Sequence, residues 1–310
     1  MDLFSYTGTY LVLVVMVLIS VAFVTLMEQK ILASSQIRLG PNQVGWAGVA
    51  QPFADAVKLL SKEPYTSRAM ARLVYYISPI MALSVMLVLW ALYPLEGGGL
   101  NLVYGILFFM SISGLSVYPV LAAGWSSNCK YSTLGGLRAV AQMVSYEVSM
   151  GVVLLGLIWL SGGFSVFWLM KGQKLVWNIF LVAPLGYVWF LAMLAETNRS
   201  PFDFAEGESE LVSGFNTEYS SAGFTLIFMA EYGSILLMSL VFVSMFLGVS
   251  FKSVLAFKIV LVSFWFVWVR ASLPRYRYDM LMGLAWKSLL PVGLFVFLYC
   301  ASIGSLSMSC

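Results

Sequence analysis

The chain has 310 residues, of which 61% are hydrophobic and 10% charged, and its mean hydropathy is +0.91. Soluble globular domains carry about 25% charged residues, so this composition excludes a soluble globule and indicates a membrane protein. The sequence has no histidine and only three widely separated cysteines, which excludes the usual ligand sets of haem, zinc and iron–sulfur sites and argues against a disulfide framework. No metal site is therefore expected, and any redox centre belongs on another chain. The net charge of +3 is uninformative by itself, and no nucleic-acid partner is expected.

Apolar runs predict the transmembrane helices. Crossing ~30 Å of hydrocarbon takes about 20 residues at 1.5 Å rise each, and eight runs reach or approach that length. They are residues 3–26, 73–92, 102–123, 139–160, 176–195, 222–249, 253–269 and 288–306. The first run follows Asp2 rather than a basic leader and is too long for a signal peptide, so we expect it to be retained. The expected fold class is an all-α integral membrane protein, a bundle of about eight transmembrane helices in a single polytopic domain (residues 1–310).

The distribution of cations among the loops predicts the orientation of this bundle. The loops after predicted helices one, three, five and seven hold 13 Lys and Arg residues, whereas those after helices two, four and six hold 3. Basic loops stay on the cytoplasmic or matrix side of a membrane. Both termini are therefore expected on the opposite side, and nearly all of the polar chemistry on the inner side.

A short amphipathic helix is predicted between the first two spans, over residues 51–63. Pro52 suits its first turn, and Asp55 and Lys58 complement the helix dipole. Its apolar face is formed by Phe53, Ala56, Val57 and Leu60. Such a helix either lies in the membrane interface beside a gap through which a lipid-like molecule enters, or is a re-entrant or surface-lying linker. The preceding turn-forming stretch, residues 38–42, carries the cation Arg38.

The inner loop at residues 196–218 is strongly acidic, with a single cation, Arg199. Its acids are Glu196, Asp203, Glu206, Glu208, Glu210 and Glu218. Phenylalanines alternate with them, which indicates burial, and burial together with crowding of like charges raises the pKa of carboxyl groups toward neutral pH. A functional acid cluster is therefore favoured over a solvated loop. If residues 203–210 are helical, Asp203, Glu206 and Glu210 share one face.

Two acids, Glu147 and Glu231, are predicted within spans, each nine residues or about 13 Å from a helix end. Each costs about 2.5 to 3.5 kcal/mol on insertion scales, so both should face the bundle interior or water. Neighbouring hydroxyl and amide groups suit hydrogen bonding to them: Gln142, Ser145, Tyr146, Tyr232 and Ser234. Proton or ion handling is favoured over a structural ion pair with Lys258 or Arg138. Lys258 alternatively extends toward the end of its own helix.

Six segments of the sequence are similar to one known family. They are residues 38–42, 51–59, 137–147, 195–216, 229–232 and 274–287. The most specific is the run AETNRSPFDFAEGESELVSGFN at residues 195–216. Together they resemble the first core membrane subunit of proton-pumping NADH:ubiquinone oxidoreductase, respiratory complex I, over nearly the whole chain. One departure is Gln29, which stands where that family usually has an arginine.

The resemblance implies a subunit at the heel of the membrane arm that lines the access tunnel for ubiquinone, the substrate. It implies that FMN and the iron–sulfur clusters lie on partner subunits, with no cofactor bound by this chain alone. The implied partners are the peripheral quinone-site and terminal iron–sulfur cluster subunits, adjacent small membrane subunits and the lipid bilayer. The implied location is the mitochondrial inner membrane, with a bacterial plasma membrane as the second option.

The resemblance also assigns roles to residues of this chain. A proton conduit is implied for Glu147, Glu196 and Glu231, and the quinone cavity with its acidic loop for Arg38, Arg199, Asp203, Glu206, Glu208 and Glu210. Secondary candidates are Glu28, Asp55, Glu218, Arg277 and Asp279. Two other functions stay open at this point: the membrane subunit of a related membrane-bound hydrogenase, which needs no quinone path, and a stand-alone proton-coupled transporter.

Overall fold

The computed structural model describes residues 2–66, 68, 70–94, 102–174, 176–204, 213–248 and 252–309. The first helices in this part of the chain are α1 (Asp2–Ser35), α2 (Gln51–Ser61), α3 (Arg72–Leu89), α4 (Gly105–Leu115), α5 (Val117–Ser126) and α6 (Lys130–Ser161). The others are α7 (Val166–Gly172), α8 (Asn178–Leu181), α9 (Ala183–Glu196), α10 (Ser221–Phe246), α11 (Lys252–Ser272), α12 (Tyr278–Leu284) and α13 (Leu290–Ser309). The described residues contain no strand, so the predicted all-α membrane fold is confirmed.

Seven helical segments among the described residues are long and apolar enough to cross a membrane. They match seven of the eight predicted spans, but three begin or end nine or ten residues from the predicted boundary. α1 continues nine residues past the predicted end at residue 26, because residues 27–35 contain no glycine or proline. α6 begins nine residues before the predicted start at residue 139. Glu147 therefore lies near the middle of α6, about 25 Å from its first residue rather than about 13 Å.

The predicted fifth span, residues 176–195, is shorter than expected. The structure has the single turn α8, a break at Val182 and then α9, which is 14 residues long. Pro184 lies in the first turn of α9, where its missing N–H and fixed φ suit a helix start and prevent continuation from α8. At about 21 Å, α9 is shorter than the hydrocarbon layer. It is instead enclosed by the bundle, with Leu185, Trp189 and Met193 fully buried.

Two further spans are irregular. The third is divided at Ser116 into α4 and α5, and the Ser116 hydroxyl donates to the carbonyl of Ser113. The last begins ten residues before the predicted residue 288, as α12, and reaches α13 through a π-helical segment, Ala285–Leu289. Asp279, expected in a loop, consequently lies in the first turn of α12.

The two helices that carry the mid-span acids form the centre of the bundle. α6 packs against α5, α9 and α13, and α10 packs against α1, α3 and α11. The most apolar stretches of α6 and α10 are 56% and 67% buried, whereas those of the other five spans are 22–33% buried. Glu147 and Glu231 lie on these two helices, and each is partly buried. The cost of inserting a charge disfavours their contact with lipid.

Hydrogen bonds connect loops that are expected at the same end of the bundle, because every second loop of a membrane bundle lies on the same side. The Ala71 amide donates to Ser126, and the Tyr276 amide donates to Pro201, each at 3.0 Å. The Tyr65 amide donates to the Ser220 hydroxyl at 2.9 Å. These contacts join the loops after predicted helices one, three, five and seven. We call this end of the bundle the inner end.

Lys258 forms hydrogen bonds with backbone carbonyls at the end of the bundle opposite the inner end. Its Nζ donates to the carbonyls of Leu247 and Gly248, each at 2.6 Å, and lies 4.3 Å from the ring centroid of Trp177. The amide of Gln173 adds bonds to the carbonyls of Ser244 and Met245. These groups satisfy carbonyls that the end of α10 leaves unpaired, and a cation there is favoured by the helix dipole. Lys258 therefore caps a neighbouring helix rather than reaching the end of its own.

Glycines allow close approach around α6. A Cβ at Gly135 would lie 2.9 Å from backbone atoms of Gly214 and Phe215, and one at Gly136 would lie 3.3 Å from the Cα of Gly124. The first contact seats the segment at residues 213–216 on α6, and the Ser132 hydroxyl donates to the carbonyl of Phe215 at 3.1 Å. Small residues serve this purpose in membrane helix packing generally.

We expect Gly135→Ala to lower the thermal unfolding midpoint of the full-length chain in mild detergent. Its Cβ would overlap backbone that cannot move aside, and overpacking costs about 1–3 kcal/mol. Gly283→Ala is the matched control, because this helical glycine has no neighbour within 4 Å of an added Cβ. Its midpoint should stay the same or rise slightly, since alanine favours helix. Equal midpoints for the two variants would contradict the close packing at Gly135.

Candidate functional site

A cavity of about 110 Å³ lies between α3, α5, α6 and α10. Most of its wall is apolar, but small polar groups and two carboxyl groups interrupt it. The polar lining residues are Ser78, Ser113, Ser116, Glu196, Thr197, Asn198, Glu231 and Ser234. At roughly 30 Å³ for each water molecule, the volume corresponds to three or four water molecules.

Glu196 and Glu231 reach this cavity from different elements. Glu231 lies ten residues into α10, and Glu196 is the last residue of α9. The Glu196 Oε2 and the Asn198 Oδ1 are buried and have no hydrogen-bond partner among the described residues. An unsatisfied buried acceptor costs about 1–3 kcal/mol. Because both atoms belong to residues that line the cavity, this cost favours water inside it.

Glu147 lies beside the cavity, on the side of α4. A Cβ at Gly114 would lie 2.8 Å from the Glu147 Oε1, so the absence of a side chain at Gly114 makes room for this carboxyl group. Glu147 is also close enough to Glu196 for their charges to interact. Met143, one turn earlier on α6, lines the cavity itself. The three predicted conduit acids are therefore neighbours, in the order Glu147, Glu196 and Glu231.

The side chains expected to serve Glu147 bind other groups instead. The Tyr146 hydroxyl donates to the carbonyl of Leu281 at 3.3 Å, and the Ser145 hydroxyl donates to the carbonyl of Gln142 at 2.8 Å. The Gln142 amide donates to the carbonyls of Ala195 and Phe202, both at 2.9 Å. Gln142 thus holds both ends of the segment at residues 195–202, which carries Glu196 and Arg199.

A partly buried ionic cluster lies on the other side of α10. Arg270 and Arg199 both pair with the Glu28 carboxylate, the second at 3.7 Å, and Glu28 is 6% exposed. The Arg199 guanidinium lies 4.2 Å from the ring centroid of Tyr232, and the Tyr232 hydroxyl contacts Glu28. These four residues surround a small cavity of about 10 Å³. We call them the Glu28 cluster.

The acid-lined cavity and the Glu28 cluster are joined through two short stretches of backbone. Glu231 faces the cavity and the next residue, Tyr232, belongs to the Glu28 cluster. Glu196 faces the cavity and Arg199, three residues later, belongs to the cluster. Successive residues of a helix point about 100° apart, so α10 forms the wall between the two sites. A shift of either α10 or the segment at residues 195–199 therefore affects both.

A polar cleft of about 460 Å³ lies where α1 meets α2 at the inner end. Its lining residues are Gln29, Leu32, Arg38, Pro41, Gln51 and Asp55. The Arg38 Nε donates to the Gln36 Oε1 at 2.9 Å, and the Gln51 Nε2 donates to the Asp55 Oδ1 at 2.9 Å. The cleft thus contains both Arg38 and Asp55. Gln29, which stands where the family usually has an arginine, lies in the same wall.

Apolar side chains beside this cleft are unusually exposed. Ile37, Leu39 and Trp46 are 97%, 84% and 93% exposed. The predicted amphipathic helix is confirmed as α2, two residues shorter than expected. Its face with Val57 and Leu60 is also exposed. Contiguous apolar surface of this kind marks a membrane, ligand or protein interaction site.

The remaining predicted residues lie elsewhere. Asp203 pairs with Arg275 at 3.4 Å and is not helical. Glu206, Glu208 and Glu210 lie outside the described residues, as does most of the helix considered for residues 203–210. Glu218 is partly buried, and its backbone carbonyl accepts a hydrogen bond from Tyr75. Arg277 and Asp279 form an exposed pair at 3.1 Å, and exposed pairs contribute little stability.

Sequence reasoning missed the roles of Arg270 and Tyr232. Arg270 counted only as one cation of a basic loop, and Tyr232 only as a neighbour of Glu231. The only sequence signal for Arg270 was its position in the last turn of a span, where the helix dipole stabilises a cation. In the part of the chain that the structure describes, no three His, Cys, Asp or Glu side chains come together as a metal site.

Comparison with known proteins identifies the family. The family model for NADH dehydrogenase matches residues 8–301. The NADH-ubiquinone oxidoreductase chain 1 of Aedes aegypti is 54% identical over 293 residues, 94% of this chain and 93% of that protein. The proteins of the same name from Locusta migratoria and Sarcophilus harrisii are 52% and 44% identical, over 96% and 98% of both chains. The chain therefore belongs to the NADH-ubiquinone oxidoreductase chain 1 family, within the NADH dehydrogenases.

Proposed function

We propose that this chain is the core membrane subunit of a proton-pumping NADH:ubiquinone oxidoreductase that lines the quinone path and couples quinone reduction to proton translocation. The observation that carries this proposal is the meeting of Glu196 and Glu231 in one cavity, with Glu147 beside it. Acids on three different helices otherwise have no reason to converge in the apolar centre of a bundle. The names of the relatives include ubiquinone, which favours quinone reduction over hydrogen evolution as the coupled reaction.

Proton transfer through this site follows from electrostatics at low dielectric. Two unit charges 4 Å apart interact by about 4 kcal/mol at an effective dielectric constant of 20. Protonation of one acid therefore changes the proton affinity of its neighbour, and three neighbouring acids titrate as a coupled group. Reduction of quinone alters the charge at one end of the group, and the acids respond by moving a proton along it. Water in the cavity carries the proton between carboxyl groups.

The Glu28 cluster connects this group to the inner end. Two arginines share the single carboxylate of Glu28 beside α10. Because Glu231 and Tyr232 are consecutive, a change of charge on the cluster side of α10 acts directly on the cavity side. Arg199 and Asp203 belong to the inner surface on which the proposed quinone cavity opens. Glu206, Glu208 and Glu210 lie outside the described residues, and the family resemblance assigns them to the quinone cavity as well.

The cleft between α1 and α2 is the proposed entrance for ubiquinone. Exposed Ile37, Leu39 and Trp46 offer an apolar surface to the isoprenoid tail, while Arg38 and Asp55 offer polar contacts to the ring. Ubiquinone is the substrate, and the FMN and iron–sulfur clusters are assigned to partner subunits. The peripheral quinone-site subunits cover the inner end in this proposal, and adjacent small membrane subunits and lipid surround the spans.

The proposed location is the mitochondrial inner membrane, supported by the animal sources of the relatives. The basic loops then face the matrix and both termini face the opposite side.

We expect Glu231→Gln to preserve assembly of the complex while abolishing or uncoupling quinone-dependent turnover. Glutamine keeps the size and hydrogen bonding of the side chain but cannot take up or release a proton. The measurement is NADH-driven quinone reduction and proton uptake by the purified complex in liposomes. Glu63→Gln, at an exposed position of the inner surface, is the matched control and should behave as wild type. Wild-type reduction and pumping by Glu231→Gln would rule out the conduit.

We expect Leu32→Trp to raise the KM for a short-chain quinone, because the larger side chain fills part of the cleft that Leu32 lines. Electron transfer from NADH to a soluble artificial acceptor, which needs no quinone path, should be unchanged. Ser34→Trp adds the same ring at an exposed position two residues away and should leave the KM as in wild type. Equal KM values for both variants would place the quinone entrance elsewhere.

A further inference from the structure

Three buried hydroxyl groups lie in a row between the inner end and the acid-lined cavity. The Tyr219 hydroxyl is 2.8 Å from the Ser78 Oγ and 3.4 Å from the Ser126 Oγ. Ser126 ends α5 at the inner end, and Ser78 lines the cavity that also holds Glu196 and Glu231. Ser126, Ser78 and Tyr219 are 0%, 2% and 6% exposed. We call these three residues the hydroxyl row.

Two members of the hydroxyl row, Ser78 and Tyr219, have two hydrogen-bond arrangements of similar geometry. In the first, Tyr219 donates to Ser78, and Ser78 donates to the carbonyl of Tyr75 at 3.3 Å. In the second, Ser78 donates to Tyr219, and Tyr219 donates to the same carbonyl at 3.2 Å. Each hydroxyl group is both donor and acceptor. Passage of a proton from Tyr219 to Ser78 leaves Ser78 as the donor to Tyr219, and rotation of the hydroxyls then restores the first arrangement.

The ring of Tyr219 is held independently of its hydroxyl. It stacks on the ring of Tyr75, with centroids 4.3 Å apart and planes 5° from parallel. Tyr75 uses its own hydroxyl to bind the carbonyl of Glu218, at 2.9 Å. The adjoining segment is seated on α6 at Gly135, as described above. Loss of the Tyr219 hydroxyl therefore leaves the ring and the loop in place. The position of this segment does not depend on the hydroxyl group.

Burial raises the pKa of Tyr219, while its hydrogen bonds with Ser126 and Ser78 lower it, and the raising effect is the larger. The phenol consequently stays protonated at neutral pH. A neutral phenol passes a proton on by accepting one at oxygen as it releases its own, without ever becoming a stable anion.

We propose that the hydroxyl row is a proton-relay path between the inner end of the bundle and the acid-lined cavity, with Tyr219 as its central residue. This rests on the proposed function, because it names a route by which the cavity exchanges protons. In each step an oxygen lone pair of one hydroxyl takes up a proton while its own O–H bond breaks toward the next oxygen. Ser78 delivers the last proton to water or a carboxylate in the cavity. One O–H bond forms for each that breaks, and no oxidant or reductant takes part.

The test compares the assembled complex carrying Tyr219→Phe with wild type in liposomes, in H₂O and in D₂O. We expect normal assembly, a fall of at least about tenfold in coupled turnover, typical of losing a positioned proton-transfer group, and a larger solvent deuterium isotope effect. Tyr75→Phe is the matched control, because it removes the neighbouring phenol and leaves the row intact. It should keep the wild-type rate and isotope effect.

The outcomes separate this inference from the proposed function. Wild-type rate and isotope effect in Tyr219→Phe, with Glu231→Gln inactive, would overturn the relay and leave the conduit standing. Wild-type activity of Glu231→Gln would overturn both. If Tyr219→Phe does not assemble, Ser78→Ala takes its place, since it removes the hydroxyl that delivers the proton to the cavity and keeps the tyrosine. A wild-type isotope effect in Ser78→Ala would then refute the relay.

Discussion

The arrangement of the acids depends on two hydrogen bonds donated by the side-chain amide of Gln142. Two backbone carbonyls, at Ala195 and Phe202, can only accept hydrogen bonds, so they fix the amide nitrogen between them. Gln142 is fully buried, and breaking a buried hydrogen bond costs the desolvation of its partners. This contact ties α6 to the segment that directs Glu196 into the cavity and Arg199 into the Glu28 cluster. This contact adds to the packing of α9 against α6 in holding the corner after α9.

Charged groups inside a membrane protein are costly and need positions within the protein rather than in lipid. Two of the carboxyl groups lie on the two most buried helices, α6 and α10. Arg199 and Arg270 bind Glu28 on the far side of α10, and Lys258 binds carbonyls at the opposite end. Interacting acids alter one another's proton affinity and titrate as a group. That property suits proton transfer.

The sequence predicts the bundle well because the length and hydrophobicity of a span are properties of a continuous segment. It also predicts that Glu147 and Glu231 face inward, because lipid cannot solvate a carboxylate. The residues alone do not predict that Glu196 joins Glu231, because their meeting depends on helix crossings and on the bonds of Gln142 to distant backbone; only the family resemblance groups them. Nor does it predict α9, whose start is determined by Pro184 within an uninterrupted apolar run. The functional roles of the acids stay predictions.

The central claim is that the neighbouring carboxyl groups change protonation when quinone is reduced. Infrared difference spectroscopy of the purified complex, triggered by quinone reduction, measures this directly through the C=O stretch that only a protonated carboxyl group shows. The account predicts a carboxyl band that shifts in D₂O and disappears in Glu196→Gln while the iron–sulfur signals persist. A difference spectrum without a carboxyl band, or one that Glu196→Gln leaves unchanged, would contradict it.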